Sequence, residues 1–209
     1  MGRVRTKICG IGSVADLNVA VQAGADALGV IVGITHVSED ELSAPRAREV
    51  CSAAPAFIST VLVTHLPDPD EILHLAETIG VDTIQVHGDG VSADSMRKLW
   101  HRRRSLRIIR TVHVTGPCAI DAAREAATAA HAVLLDTRTT ARLGGTGRTH
   151  DWRIRANPWR FLRSGHDHDI RCSRAAGSGQ RADLRCQRLA ADLFTTRPTL
   201  AATRSGWWT

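Results

Sequence analysis

What the chain lacks narrows its class before any motif is read. No run of about 18 uncharged apolar residues occurs, so no segment reads as a membrane-spanning helix. The amino terminus also lacks the apolar stretch of a secretory signal. Cysteine is sparse and odd in number, with five thiols at Cys9, Cys51, Cys118, Cys172 and Cys186. None falls in a Cys-x-x-Cys pair, which removes a zinc ribbon, a dithiol redox centre and a disulfide framework from consideration. A soluble cytoplasmic protein with free thiols is the expectation. No Gly-x-Gly-x-x-Gly opens the first helical stretch, so a dinucleotide cofactor has no sequence support.

Lysine and glutamate are both missing from residues 153–209, which hold 11 Arg and 4 Asp for a net charge of +7. Residues 1–152 carry 16 basic and 17 acidic side chains, a net of −1. The formal charge of +6 on the 209-residue chain therefore belongs to the tail. Arginine with Trp159, Trp207 and Trp208 is a composition that binds nucleic acid by charge and stacking. The tail has no recognisable binding motif, and a nucleic-acid partner is not expected. His101-Arg102-Arg103-Arg104 is a second basic cluster. It reads either as a phosphate patch or as the solvated end of a helix, where cations suit the dipole.

What is present, up to Trp152, is an alternation of short β-rich apolar runs with amphipathic helical stretches, the pattern of parallel βα units. Strands are expected near Val4–Gly10, Ala27–Val32, Ser59–Val63, Thr83–His87, Leu106–His113 and Ala132–Asp136. Helices are expected at Ser13–Ala23, Ala44–Ala53, Asp68–Ile79, Ala93–His101 and Ala119–Ala129. Ser13 would cap the first helix, and Gly24 and Gly80 would stop the first and third. Glycine, histidine or aspartate finishes the strands, which favours part of an eight-stranded barrel over a doubly wound sheet.

Two strand ends carry groups suited to proton transfer. Cys9 lies in Lys7-Ile8-Cys9-Gly10, and Asp136 lies in Leu134-Leu135-Asp136-Thr137-Arg138, ahead of Leu143-Gly144-Gly145-Thr146-Gly147. A thiol and a carboxylate facing one pocket can take a proton from one atom of a substrate and give one to another. Taken singly, Cys9 reads as a small buried hydrophobe, Asp136 as a hydrogen-bond acceptor for a loop, the glycine cluster as a turn and Asp151 as a helix cap.

With Ala23-Gly24-Ala25-Asp26-Ala27-Leu28-Gly29, Gln85-Val86-His87-Gly88-Asp89 and Asp151-Trp152, these blocks occur in an order and spacing that resemble the phosphoribosylanthranilate isomerase family over residues 3–152. The resemblance implies a (β/α)8 TIM barrel of the ribulose-phosphate-binding type, here incomplete at about six βα units. It further implies an Amadori rearrangement of N-(5-phosphoribosyl)anthranilate to 1-(2-carboxyphenylamino)-1-deoxyribulose 5-phosphate in tryptophan biosynthesis. Carried over motif by motif, Asp136 is the general acid and Cys9 the general base, with Gln85, His87, Arg138, Gly144 and Gly145 binding a small phosphorylated substrate. No metal and no cofactor are implied. The acid must keep its proton near neutral pH and the thiol must give some of its own up.

Two departures accompany the likeness. The loop from Gly33 to Ser43 lacks the family's Ser-Pro-Arg, whose arginine holds the anthranilate carboxylate; His36, Arg46 and Arg138 are candidates to replace it. Residues 155–209 show no convincing strand and none of the glycine-rich phosphate loops that should follow. Divided this way, the chain is a partial barrel over 1–154 and a non-homologous, irregular tail over 155–209. Arginine-rich sequence without Lys or Glu is what GC-rich DNA gives when read out of frame. Ile170-Arg171-Cys172-Ser173-Arg174-Ala175-Ala176-Gly177 can be encoded so that a start at the third base yields Pro-Leu-Leu-Ala-Gly-Gly, the missing seventh-strand motif. A catalytically inactive, truncated barrel is therefore the first alternative. A metal-dependent hydrolase is the second, because His36, His65, His87 and His113 all fall at or just after expected strands. None of those four belongs to a His-x-His or Glu-x-x-His pair.

Overall fold

The computed structural model describes residues 5–35, 38–116 and 118–136, together with the backbone of 169–172 and 185–188. Strands and helices alternate as β1 (Thr6–Cys9), α1 (Val14–Gln22), β2 (Ala27–Ile31), α2 (Ala44–Ser52), β3 (Ser59–Thr64) and α3 (Pro69–Ile79). They continue as β4 (Thr83–Val86), α4 (Ala93–Arg102), β5 (Arg107–His113), α5 (Ala119–Ala127) and β6 (Ala132–Asp136). Two further strands, β7 (Asp169–Cys172) and β8 (Arg185–Arg188), lie in the tail.

Local chemistry sets the boundaries. The Ser13 hydroxyl accepts a hydrogen bond from the Asp16 amide at 3.1 Å, and the Asp68 carboxylate accepts from both Asp70 and Glu71 amides, so α1 and α3 each begin with part of their free N–H groups capped by a side chain. Gly80 ends α3 at φ +83°, a backbone shape that a Cβ disfavours. Strands rich in Val, Ile and Leu are buried on both faces, as parallel sheets require. One face packs Ile8, Leu28, Val30, Leu62, Ile84 and Ile108 against helix residues such as Leu17, Val50, Ile72, Ala76 and Leu99. The other face holds Cys9, Ala27, Val61 and Val63 in a separate apolar cluster.

All eight strands form one sheet in the order β7-β6-β5-β4-β3-β2-β1-β8. Pairing is parallel from β1 through β7, whereas β8 runs antiparallel to β1, with Cys9 opposite Arg185. The sheet is an open, incomplete (β/α) barrel: β7 and β8 stand at its two edges.

The tail corrects the expectation that residues 155–209 contain no strand. Unpaired N–H and C=O groups along an open sheet edge template any extended segment that reaches them. Strands recruited that way need no hydrophobic run, so the sequence did not advertise them. Ile170, Arg171 and Cys172, inside the segment suspected of frame loss, pair with β6.

Among the described residues no helix is long and apolar enough to cross a membrane. The basic cluster ending α4 is occupied by its surroundings: Arg102 pairs with Asp70, Arg104 with Glu77, and Arg103 lies 3.6 Å over the Trp100 ring. These contacts fit the solvated helix end that the sequence suggests.

Candidate active site

Six parallel strands deliver their last residues to one rim, the carboxyl end of the sheet. Cys9 closes β1, His65 follows β3, His87 follows β4, and His113 and Asp136 close β5 and β6. Because side chains alternate along a strand, Lys7 shares the inner face with Cys9, Gln85 with His87, and Thr111 with His113. Sequence reading missed Lys7 and Thr111 as site residues. Their signal was the two-residue offset from Cys9 and His113.

At the β4–β6 end the side chains form one polar network. The Gln85 amide nitrogen lies 3.3 Å from His87 Nδ1 and 3.4 Å from the Thr111 hydroxyl, which itself sits 3.2 Å from His87 Nδ1. These contacts hold the imidazole from behind and turn Nε2 toward Asp136, whose Oδ2 is 3.7 Å away. His65 stacks on His87 with ring centres 5.3 Å apart, and His113 meets it edge-on at 5.1 Å. Gln85 is 1% exposed, beneath the rim, and touches the site through His87 and Thr111.

Burial dominates the electrostatics. It pushes His87 down to about 3, with the charges of His113, His65, Lys7 and Arg110 adding in the same direction. The ring is therefore neutral at physiological pH, and its approach to Asp136 is a polar contact and not an ion pair. Arg110 is lowered by burial, against the opposing pull of Asp89, and donates to the carbonyl oxygens of Val86 at 3.2 Å and Gly88 at 2.7 Å. That guanidinium fixes the loop leaving β4.

The β1–β2 end is built around an absent side chain. A Cβ on Gly29 would fall 3.0 Å from Lys7 Nζ and 3.2 Å from Cys9 Sγ. The ammonium and the thiol therefore lean into the same notch, and both residues are buried. Gly88 is tighter still: a Cβ there would lie 2.8 Å from the His65 carbonyl oxygen, so the loop after β4 rides directly on β3. Cys51 sits apart in α2, its thiol raised to about 11 by burial and by Asp82.

Of the residues expected to act, Cys9, Gln85, His87 and Asp136 end up on the inner face or rim. Arg138, Gly144, Gly145, His36 and Asp151 lie outside the described residues. Arg46 is on the exposed side of α2, 2.6 Å from Glu49.

A half-closed (β/α) barrel with a thiol, imidazoles and a carboxylate at its carboxyl rim is the architecture of an enzyme site, since this rim is where such barrels do their chemistry. A family model described as N-(5'phosphoribosyl)anthranilate (PRA) isomerase matches residues 6–158. The chain is 39% identical over 153 residues to N-(5'-phosphoribosyl)anthranilate isomerase 2 of Methanosarcina mazei, covering 72% of this chain and 67% of that protein. It is 38% identical over 148 residues to the isomerase of Haloferax volcanii, covering 71% and 64%. The crystal structure of phosphoribosyl anthranilate isomerase from Thermotoga maritima superposes with a TM-score of 0.69 at 29% identity, over 83% of this chain and 78% of that one. The chain belongs to the phosphoribosylanthranilate isomerase family. It spans about two thirds of the length of the curated relatives it matches.

Proposed function

We propose that residues 1–154 carry the machinery of the family's isomerisation, the conversion of N-(5-phosphoribosyl)anthranilate to 1-(2-carboxyphenylamino)-1-deoxyribulose 5-phosphate, and that residues 155–209 supply none of its acid or base. The observation that carries this reading is the placement of Cys9 and Asp136 as the terminal residues of β1 and β6 on one rim.

In that role Asp136 donates a proton to the furanose ring oxygen, the bond from that oxygen to the first carbon breaks, and the anilino nitrogen becomes an iminium. The iminium acidifies the proton on the second carbon, which Cys9 removes to give an enolamine. Loss of the hydroxyl proton and protonation of the first carbon complete the aminoketose. One acid and one base suffice. His87, neutral and 3.7 Å from Asp136, orients the carboxyl group, and Gln85 and Thr111 hold His87 in turn.

The reversed β8 favours a second reading, a barrel that has kept the site residues but lost turnover. A closed parallel barrel fixes the spacing of its acid and base through the wall between them. Here β1 is followed by an antiparallel edge strand, and a misplacement of about 1 Å costs on the order of a hundredfold in rate. Complementation of a tryptophan-requiring strain that lacks the isomerase tests both readings. The expected result is failure with the 209-residue chain and growth once the tail is replaced by one that carries Pro-Leu-Leu-Ala-Gly-Gly at the seventh strand. Growth with the unrepaired chain overturns the second reading; failure of the repaired chain, expressed and soluble, overturns the first.

A further inference from the structure

We propose that His87, His113 and Asp136 form a binding site for a divalent transition-metal ion of the zinc type. A ring nitrogen of each histidine and a carboxylate oxygen of Asp136 all lie within 4.8 Å of one another. Four-coordinate zinc with bonds of about 2.0–2.2 Å spaces its ligand atoms at roughly 3.3 Å. The His87 Nε2 to Asp136 Oδ2 separation of 3.7 Å is already near that value, so small side-chain rotations close the set.

The surroundings of both rings have the form that metal-binding histidines take, with one nitrogen anchored from behind and the other presented. His87 Nδ1 can donate its proton to the Thr111 hydroxyl oxygen 3.2 Å away, which leaves Nε2 toward the carboxylate. His113 Nε2 lies 3.3 Å from the His87 carbonyl oxygen and 3.5 Å from Asp89 Oδ1, which fixes the proton on that nitrogen. His113 Nδ1 is buried and has no hydrogen-bond partner among the described residues. A buried nitrogen left without a partner is destabilising, and a metal ion bound there removes that penalty.

Two imidazoles and one carboxylate select zinc, cobalt, iron or nickel over magnesium and calcium, which want more oxygens. Three protein ligands leave a position for water. A bound ion takes the Asp136 oxygen out of proton transfer, so on the isomerase reading it inhibits; the site itself does not depend on that reading.

The test uses the full chain stripped with chelator. Cobalt should give the visible d–d bands of a four-coordinate site at one equivalent, displaced by zinc, and X-ray absorption of the zinc form should count two imidazoles. His113→Asn and Asp136→Asn should each weaken zinc binding at least tenfold by calorimetry, and Thr111→Val, which loosens His87, by about tenfold or more. His74→Gln, on the exposed side of α3, should change nothing. The tail holds its own chelating spacing, His166-Asp167-His168, so a His166→Ala, His168→Ala chain is included and should retain the bands. Loss of binding in that chain, fewer than two imidazoles in the wild-type zinc form, or cobalt bands unchanged in His113→Asn overturns the proposal.

Discussion

The inner face of the sheet divides into two halves made by the same strand geometry for opposite ends. From β1 to β3 it is nearly apolar: Ala27, Val61 and Val63 pack with Cys9, and the buried Lys7 is the exception. From β4 to β6 the equivalent positions hold Gln85, His87, Thr111, His113 and Asp136, linked through short polar contacts. The first half fills space and presents one thiol. The second stores polar groups that a buried wall tolerates because most of them partner one another, His113 Nδ1 being the exception.

The largest expected effect joins the halves. In the frame-restored chain, Cys9→Ala and Asp136→Asn should each lower turnover a hundredfold or more, about 2.7 kcal/mol of barrier, with substrate affinity much less changed. Steady-state kinetics decide this, and near-normal turnover in either variant removes that residue from the chemistry. Cys51→Ala, in a helix away from the rim, is the control and should be almost silent.

Exchanging the character of the halves is the next test. Val61 is 1% exposed among apolar neighbours, so Val61→Thr buries a hydroxyl without a partner and should cost about 2 kcal/mol in urea unfolding. Thr111→Val, in the polar half, should cost about 1 kcal/mol by unpinning His87. Equal and negligible losses would mean that the division is decorative.

Acid should weaken the polar half selectively. His87 binds its proton at about 3 in the folded chain and near 6.5 when unfolded, so the unfolded state takes up the proton first as pH falls. Stability contributed by His87 is complete above pH 6.5 and is lost toward pH 3, at up to about 1.4 kcal/mol per pH unit. Urea midpoints measured across that window should fall more steeply in the wild type than in His87→Gln; parallel lines would contradict a buried neutral ring.

The smallest effect lies outside both halves. Phe57, fully exposed in the loop before β3, holds φ +72° without being glycine. Phe57→Asn should raise stability by about 0.5–1 kcal/mol through relief of that backbone, read as a higher urea midpoint.

Much of this was legible in the residues, and the reasons differ by region. Strand ends at Cys9, His113 and Asp136 could be read because an apolar run stops there at a polar residue, and Ser13, Asp68 and Gly80 mark helix limits by their own chemistry. The four histidines announced a cluster but not its geometry: that His65, His87 and His113 converge depends on register between strands tens of residues apart. Lys7 was obscured because a buried ammonium runs against ordinary expectation. β7 and β8 were illegible because their stabilisation comes from the edges they meet and not from their own sequences.

Gly88 limits the ways in which this rim can be inherited. Every replacement for a glycine begins with the same Cβ, and here that atom would press on the main chain of His65, which has no rotamer by which to yield. Drift therefore cannot sample side chains at this position while His87 keeps its stack on His65. A lineage that altered the rim's chemistry would do so at Asp89 and beyond, or by lengthening the loop, and the imidazole next to Gly88 would be carried along unchanged.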